Sequence, residues 1–214
     1  MKTIFLIASI LLPLYSLWPY IRSIIHGDTK PHRTTRFVYL VIGMLTTTSL
    51  LASHDGVAFW ISAVSTVQAI VLFYFGLSYG VGGWSKTDIT CLAMAVIGIV
   101  AWQTTKNPVY GLYFGIGADF AGTVPTIIKT YHHPETENWQ FYGLDSLAGF
   151  FNMLALKTFT PATSSYPLYL ILVNGLIALL VLGKRNEDNG LKVHALKLLG
   201  CSHGIHNIDI EAGA

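Results

Sequence analysis

The sequence predicts an all-α integral membrane protein in which seven transmembrane helices form two parallel three-helix bundles joined by an inverter helix. The first supporting observation is composition: 52% of the 214 residues are hydrophobic and only 11% are charged, whereas soluble domains carry about 25% charged residues. The second is a series of seven apolar segments, each close to the roughly 20 residues that cross a bilayer. The third is a proline-centred motif that occurs twice in the chain.

Residues that favour turns separate the apolar segments, among them Gly27-Asp28, Gly82-Gly83 and Asn107-Pro108. The first segment lacks a small-residue cleavage site, so we expect an uncleaved span rather than a signal peptide. The second segment is rich in threonine and the sixth is interrupted by Asp145, which makes these two the weakest by hydropathy. The predicted spans are residues 3–25, 37–53, 57–80, 88–104, 108–130, 139–157 and 166–183.

Lysine and arginine are distributed unevenly between the two ends of the predicted bundle. Of the 13, only Lys2, Lys106 and Lys157 lie at the end where the chain starts. The other ten lie in or beside the loops after the first, third and fifth spans, or in the C-terminal tail. Because positive residues accumulate on the cytoplasmic side, the N-terminus is predicted outside and the C-terminus in the cytoplasm.

The repeated motif defines two related halves of the chain. Pro19 and Pro125 each lie near the cytoplasmic end of an apolar segment and precede a basic residue, a histidine and a polar loop that contains proline. The offset between the halves is 106 residues in their first and third spans, and 103 in between because the first loop is longer. The matched pairs are Pro19/Pro125, Ile21/Ile127, His26/His132, Pro31/Pro134 and Gln68/Asn174.

The repeat divides the chain into four parts: residues 1–81 form the first three-helix repeat, 82–106 the inverter helix, 107–183 the second repeat, and 184–214 a cytoplasmic tail. Since a single unpaired span separates the halves, both halves cross the membrane in the same direction. Half-length repeats are typical of transporters, because two packed halves can move around a site that lies between them.

With its 3+1+3 organisation, repeated proline and paired carboxamides, the chain resembles the PQ-loop superfamily, and the SWEET (MtN3/saliva) sugar transporters have the nearest architecture. That superfamily has a Pro-Gln dipeptide at the repeated proline, where this chain has Pro19-Tyr20 and Pro125-Thr126. The resemblance implies alternating-access transport of a small, sugar-like or other polar solute. It further implies hinges at Pro19 and Pro125, and substrate contacts from Gln68 and Asn174. The alternatives from the residues alone are static kinks and interhelical hydrogen bonds.

A second stretch of sequence resembles a different branch of the same superfamily. Glu137-Asn138-Trp139, followed by Asp145 and Gly149, is similar to the second PQ-loop region of the cystinosin-type proteins. That resemblance implies proton-coupled amino-acid export with an aspartate in the coupling role. A third branch, that of the KDEL receptors, implies a receptor or scaffold that transports nothing.

Two carboxylates are candidates for proton coupling. Asp119 lies near the centre of the fifth span and Asp145 about two turns into the sixth. A charge at that depth costs about 2.5–3.5 kcal/mol, and a low-dielectric site favours the neutral carboxyl group, as a proton carrier requires. Asp119 could instead form a structural hydrogen bond, for example through Thr123, and Asp145 could face water at the inner mouth.

Other classes of protein receive little support from the sequence. The seventh span contains no lysine for a retinal Schiff base, and the spans contain neither a His-Glu-x-x-His zinc motif nor a Gly-x-Ser-x-Gly elbow. His194, Cys201, His203 and His206 in the tail lack a standard zinc spacing. We therefore expect no enzymatic activity, cofactor, metal or nucleic acid, and as partners only a small solute and the lipid bilayer. Charge pairing between loop residues 30–33 and 132–137 could form an inner gate or latch. The alternative is that the basic loop only sets the topology and contacts anionic headgroups.

Overall fold

The computed structural model describes residues 1–27, 31–54, 56–134 and 137–198, with side chains in the last helix described to residue 183. Within this part the protein is entirely helical apart from one isolated bridge, which confirms the predicted all-α class. The helices are α1 (Lys2–Ile25), α2 (Arg33–Ala52), α3 (Gly56–Tyr79), α4 (Lys86–Thr105), α5 (Pro108–His132), α6 (Trp139–Ala155) and α7 (Pro161–Leu198).

Helices α4, α5 and α6 each begin after a residue whose side chain caps the helix. Ser85 and Asp88 form a reciprocal capping box at the start of α4. The side chain of Asn107 accepts from the backbone N–H of Val109, and Pro108 occupies the first turn of α5. Asn138 caps α6 in the same manner. Such side chains satisfy N–H groups that have no partner within the first turn.

Three predicted boundaries differ from the observed ones by more than two residues. The second predicted span starts at residue 37, whereas α2 starts at Arg33. The seventh starts at residue 166, whereas α7 starts at Pro161 and continues beyond residue 183 to Leu198. An apolar segment ends where charged and hydroxyl-bearing residues begin, so hydropathy predicts the end of the span there. The backbone hydrogen bonds of the helix continue through such residues. The tail histidines and cysteine beyond residue 198 lie outside the described residues, and His194 lies where side chains are not described.

Five of the described helices are long and apolar enough to cross a membrane: α1, α2, α3, α4 and the part of α7 up to Gly183. The set includes α2, one of the two spans expected to be weakest by hydropathy. Helix α6 has 17 residues, and α5, which carries Asp119 and Pro125, is also outside the set. Five such helices are compatible with a helical membrane protein.

Six of the helices pack around a common centre. The neighbours in order are α1, α3, α2, α5, α7 and α6, and α6 returns to α1. This order is the same for the two sets of three helices when α1, α2 and α3 are matched with α5, α6 and α7. The contact α1/α3 corresponds to α5/α7, α2/α3 corresponds to α6/α7, and α1/α6 corresponds to α5/α2. Helix α4 lies outside this ring, packed against α2 and α5.

The two ends of the ring differ. At the basic end, defined by the loops after α1, α3 and α5, residues 31–33 pair with Val81 through backbone hydrogen bonds of 3.0 and 3.1 Å. Gly82 adopts φ +86° there, and a side chain at this position would collide with the ring of His32. At the opposite end a buried apolar cluster fills the centre. It consists of Leu50, Ala58, Ile61, Leu112, Ala148, Tyr166 and Leu170.

Candidate functional site

The ring of helices encloses a central cavity of about 160 Å³. The four polar residues singled out in the sequence all line it, although they come from four helices. Gln68 is on α3, Asp119 on α5, Asp145 on α6 and Asn174 on α7. A cavity of this size holds a molecule comparable to benzene, so the space suits a small solute.

Asp145 is held by the first half of the chain. Its Oδ1 accepts hydrogen bonds from Ser16 Oγ at 2.9 Å and Gln68 Nε2 at 3.2 Å. Gln68 Nε2 also lies 2.9 Å from the carbonyl oxygen of Pro13 and 3.1 Å from Ser16 Oγ. All four residues are buried. The network therefore links α1, α3 and α6 at the wall of the cavity.

This network can satisfy either protonation state of Asp145. When the carboxyl group is ionised, Ser16 and Gln68 both donate to it. When it is protonated, its own hydroxyl can donate to Ser16 Oγ, and the Ser16 hydroxyl can turn to the carbonyl oxygen of Pro13, which lies 2.8 Å away. A proton can thus be gained or lost without leaving a buried polar group unpaired.

Asp119 has different partners. The hydroxyl group of Tyr169 on α7 donates to Asp119 Oδ2. Thr123 was the partner proposed for a purely structural role, but its hydroxyl group donates to the backbone carbonyl of Asp119 at 2.8 Å. Thr123 Oγ1 also lies 3.4 Å from the hydroxyl group of Tyr39. Asp119 therefore links α5 to α7 through a side chain that the sequence did not indicate.

Gln68 and Asn174 both line the cavity, but their environments differ. Gln68 is buried and bonded to Asp145, whereas Asn174 is half-buried and donates to the Leu170 carbonyl of its own helix at 3.1 Å. At the offset of 103, the counterpart of Asp145 is Ile42, whose side chain offers no acceptor. The two carboxamides are therefore at equivalent positions of the repeat but have different hydrogen-bond partners.

The two repeated prolines also occupy different surroundings. Pro125 lines a second cavity, the vestibule, which has a volume of about 370 Å³ and lies at the basic end. Pro19 faces the outside of the ring, in a groove between α1 and α6. Both prolines are inside continuous helices, where each removes one backbone hydrogen bond.

Four residues line both the central cavity and the vestibule, and they define the passage between them: Arg36, Tyr39, Thr126 and Tyr142. The guanidinium group of Arg36 donates to the Tyr20 hydroxyl and lies 5.4 Å from the centre of that ring. In the described part of the chain no carboxylate forms an ion pair with Arg36. The passage is thus lined by hydroxyl groups and one cation.

The predicted latch between the two polar loops is not formed by the described residues. Glu137 pairs instead with Lys129 of the preceding helix, at 2.6 Å, and accepts a hydrogen bond of 3.0 Å from Tyr142. His32 lies 3.9 Å from Asp88, the capping residue of α4. Lys30 and Glu135, which the latch also included, are outside the described residues.

The sequence analysis did not identify several of the residues that line the cavity. The repeat offset could have identified two of them. Tyr39 and Tyr142 match at the offset of 103 residues, as Pro31 and Pro134 do. Both tyrosines line the passage. Ser16 and Tyr169 left no comparable signal, because their importance depends on carboxylates that are distant in the chain.

No group of three or more histidine, cysteine, aspartate or glutamate side chains that could hold a metal ion occurs among the described residues. Comparisons with protein-family models, with curated proteins and with solved structures found no match to this chain. What defines the molecule is therefore its helical fold with five apolar, span-length helices and a polar cavity at its centre.

Proposed function

We propose that this chain is a membrane carrier that moves a small polar solute by alternating access. The observation that carries the proposal is the central cavity, where two carboxyl groups and two carboxamides converge from four otherwise apolar helices. Polar side chains inside a membrane are costly and mark solute or ion pathways. Their convergence on one space between the halves supports a binding site rather than separate interhelical contacts.

The packing of the helices supports a 3+1+3 arrangement in which α4 joins two equivalent bundles. The neighbour pairs of α1–α3 recur in α5–α7, and the two bundles meet along the seams α1/α6 and α2/α5. Apolar packing fills the end opposite the basic loops, while the vestibule lies at the basic end. Rocking the bundles about Pro19 and Pro125 would exchange the filled and open ends.

Proton coupling through Asp145 fits the geometry best. Ser16 and Gln68 can satisfy this carboxyl group in both protonation states. Helix α1, which carries Ser16, meets α6 along a seam that must move in transport. Asp119 is the second candidate, with Tyr169 as its partner. The alternative is uniport without proton coupling, which differs from proton-coupled transport in that its flux does not respond to a proton gradient.

The solute class follows from the size and lining of the cavity. A space of about 160 Å³ is small for a hexose, so a sugar would require the passage to the vestibule to widen. Arg36 at the passage to the vestibule and two carboxyl groups in the cavity favour a second candidate function, export of a zwitterionic amino acid. We assign the protein no catalytic reaction.

The test is solute flux into proteoliposomes that contain the purified protein, measured for glucose and for alanine with and without an inward proton gradient. We expect flux of one solute above that of empty liposomes and a response to the gradient. Flux unaffected by the gradient would leave a uniporter. Absence of flux for every small solute offered, together with capture of a peptide partner, would favour the receptor alternative.

A further inference from the structure

The outer surface of the α1/α6 seam carries a groove of about 440 Å³ near the basic end. Its walls include Tyr15, Trp18 and Arg22 of α1 and Trp139 and Leu144 of α6. Tyr15 and Trp18 are 67% and 68% exposed, and Trp139 is 38% exposed. Such exposure of aromatic rings is typical of side chains that face the interfacial layer of a bilayer.

The equivalent seam on the other side of the ring is already covered by protein. There, α4 contributes buried Cys91 and Ala95 to a cluster against which Val41 of α2 and Ala121 of α5 pack. At the repeat offsets of 103 and 106, Val41 corresponds to Leu144 and Ala121 to Tyr15. The positions that α4 covers in one seam therefore form the walls of the open groove in the other.

The polar groups of the groove indicate the chemistry of its occupant. Arg22 is exposed in the last turn of α1, and no acidic side chain in the described part of the chain forms an ion pair with it. Because Pro19 has no N–H, the carbonyl group of Tyr15 lacks its usual helical donor at this wall. An occupant with an apolar tail, a hydroxyl donor and an anionic group matches these features.

We propose that the groove binds one phospholipid with an anionic headgroup, whose phosphate contacts Arg22 and whose acyl chain covers Tyr15 and Leu144. The lipid takes the place in this seam that α4 takes in the other. Because the two halves meet along α1 and α6, the bound lipid joins them. This inference requires insertion into a bilayer and does not depend on transport.

The test is native mass spectrometry of the full-length protein in detergent, titrated with phosphatidylglycerol and with phosphatidylcholine of the same acyl chains. The wild-type protein should retain one phosphatidylglycerol in preference. Arg22→Gln should weaken its binding about fivefold, as expected for one cation at a membrane surface. Phosphatidylcholine should be affected less, because its choline cation offsets the charge of the phosphate. Arg22→Lys should keep the preference. The matched control is Arg33→Gln, an exposed arginine at the same end and outside the groove.

Three results would overturn the proposal. Equal losses in Arg22→Gln and Arg33→Gln would indicate general surface charge rather than a groove. Competition by soluble glycerol phosphate as strong as that by phosphatidylglycerol would indicate a phosphate site without a lipid. A lipid-free dimer whose formation is abolished by Leu144→Trp would show that a second copy of the chain fills the groove.

Discussion

The Nε2 atom of Gln68 lies 3.2 Å from Oδ1 of Asp145 although the two residues are 77 positions apart. One is on α3 and the other on α6, so this contact connects the two related halves of the chain at the wall of the cavity. A contact between the halves that changes with protonation would couple a proton to their relative movement.

Asp145→Asn should abolish the response of flux to a proton gradient while allowing some flux to continue. Asparagine keeps the shape of the side chain and can still accept from Ser16, but it cannot bind and release a proton. The measurement is initial flux in proteoliposomes with and without the gradient. Asp119→Asn is the matched comparison in the same cavity. A gradient response that survives in Asp145→Asn and disappears in Asp119→Asn would transfer the coupling role to Asp119.

Gln68→Leu should lower the stability of the protein by about 1–3 kcal/mol, because Asp145 and the Pro13 carbonyl lose a buried donor. The measurement is thermal unfolding of the purified protein in detergent. Thr90→Val is the control, since the Thr90 hydroxyl group is exposed and bonds only to the Lys86 carbonyl of its own helix. Equal losses in the two variants would contradict the importance of the network.

Tyr169→Phe and Asp119→Leu should be non-additive, because each removes one partner of the same hydrogen bond. A double-mutant cycle on unfolding stability should give a coupling of about 0.6–2 kcal/mol, the range for such bonds between membrane helices. Tyr166→Phe provides the control, since Tyr166 lines the same cavity on the same helix. Additive effects for Tyr169 and Asp119 would show that the hydrogen bond contributes little.

Arg36→Gln should reduce flux about tenfold or more if the solute carries a carboxylate, since a hydrogen bond to a charged group contributes about 1.5–3 kcal/mol. Arg36→Lys should retain part of the activity, because lysine keeps the charge and loses the forked geometry. Flux of a neutral sugar should change much less. Arg33→Gln controls for loss of charge at the basic end. Equal reductions for charged and neutral solutes would argue against contact with the solute.

Gly115→Leu should destabilise the seam between α2 and α5. A side chain at this position would collide with the Oγ1 atom of Thr46 on the facing helix, and overpacking of this kind costs about 1–3 kcal/mol. The measurement is again thermal unfolding. Gly56→Leu, where a side chain would meet nothing within 4 Å, is the control. Thr46→Ala should partly rescue Gly115→Leu, and no rescue would mean that the strain lies elsewhere.

Much of the helical pattern could be predicted from the sequence because apolar length and turn residues act locally. The prediction placed all seven helices, and its larger errors occurred where charged or hydroxyl-bearing residues continue a helix, as at Arg33 and Pro161. The repeat offsets identified Gln68 and Asn174. Asp119 and Asp145 were identified because each is a carboxylate within an apolar segment. The structure brings these four residues to one cavity.

Local composition and spacing were enough to predict the helical class, the apolar character of the chain and the positions of its polar side chains. The partners of those polar side chains depend instead on how the helices pack. Gln68 bonds to Asp145 because α3 and α6 meet there, whereas Asn174 bonds to a carbonyl group of its own helix. The residue that corresponds to Asp145 in the first half of the chain is the apolar Ile42, which offers no acceptor. A buried polar group must take whatever partner the packing brings within about 3 Å, and no local pattern encodes which distant helix that will be.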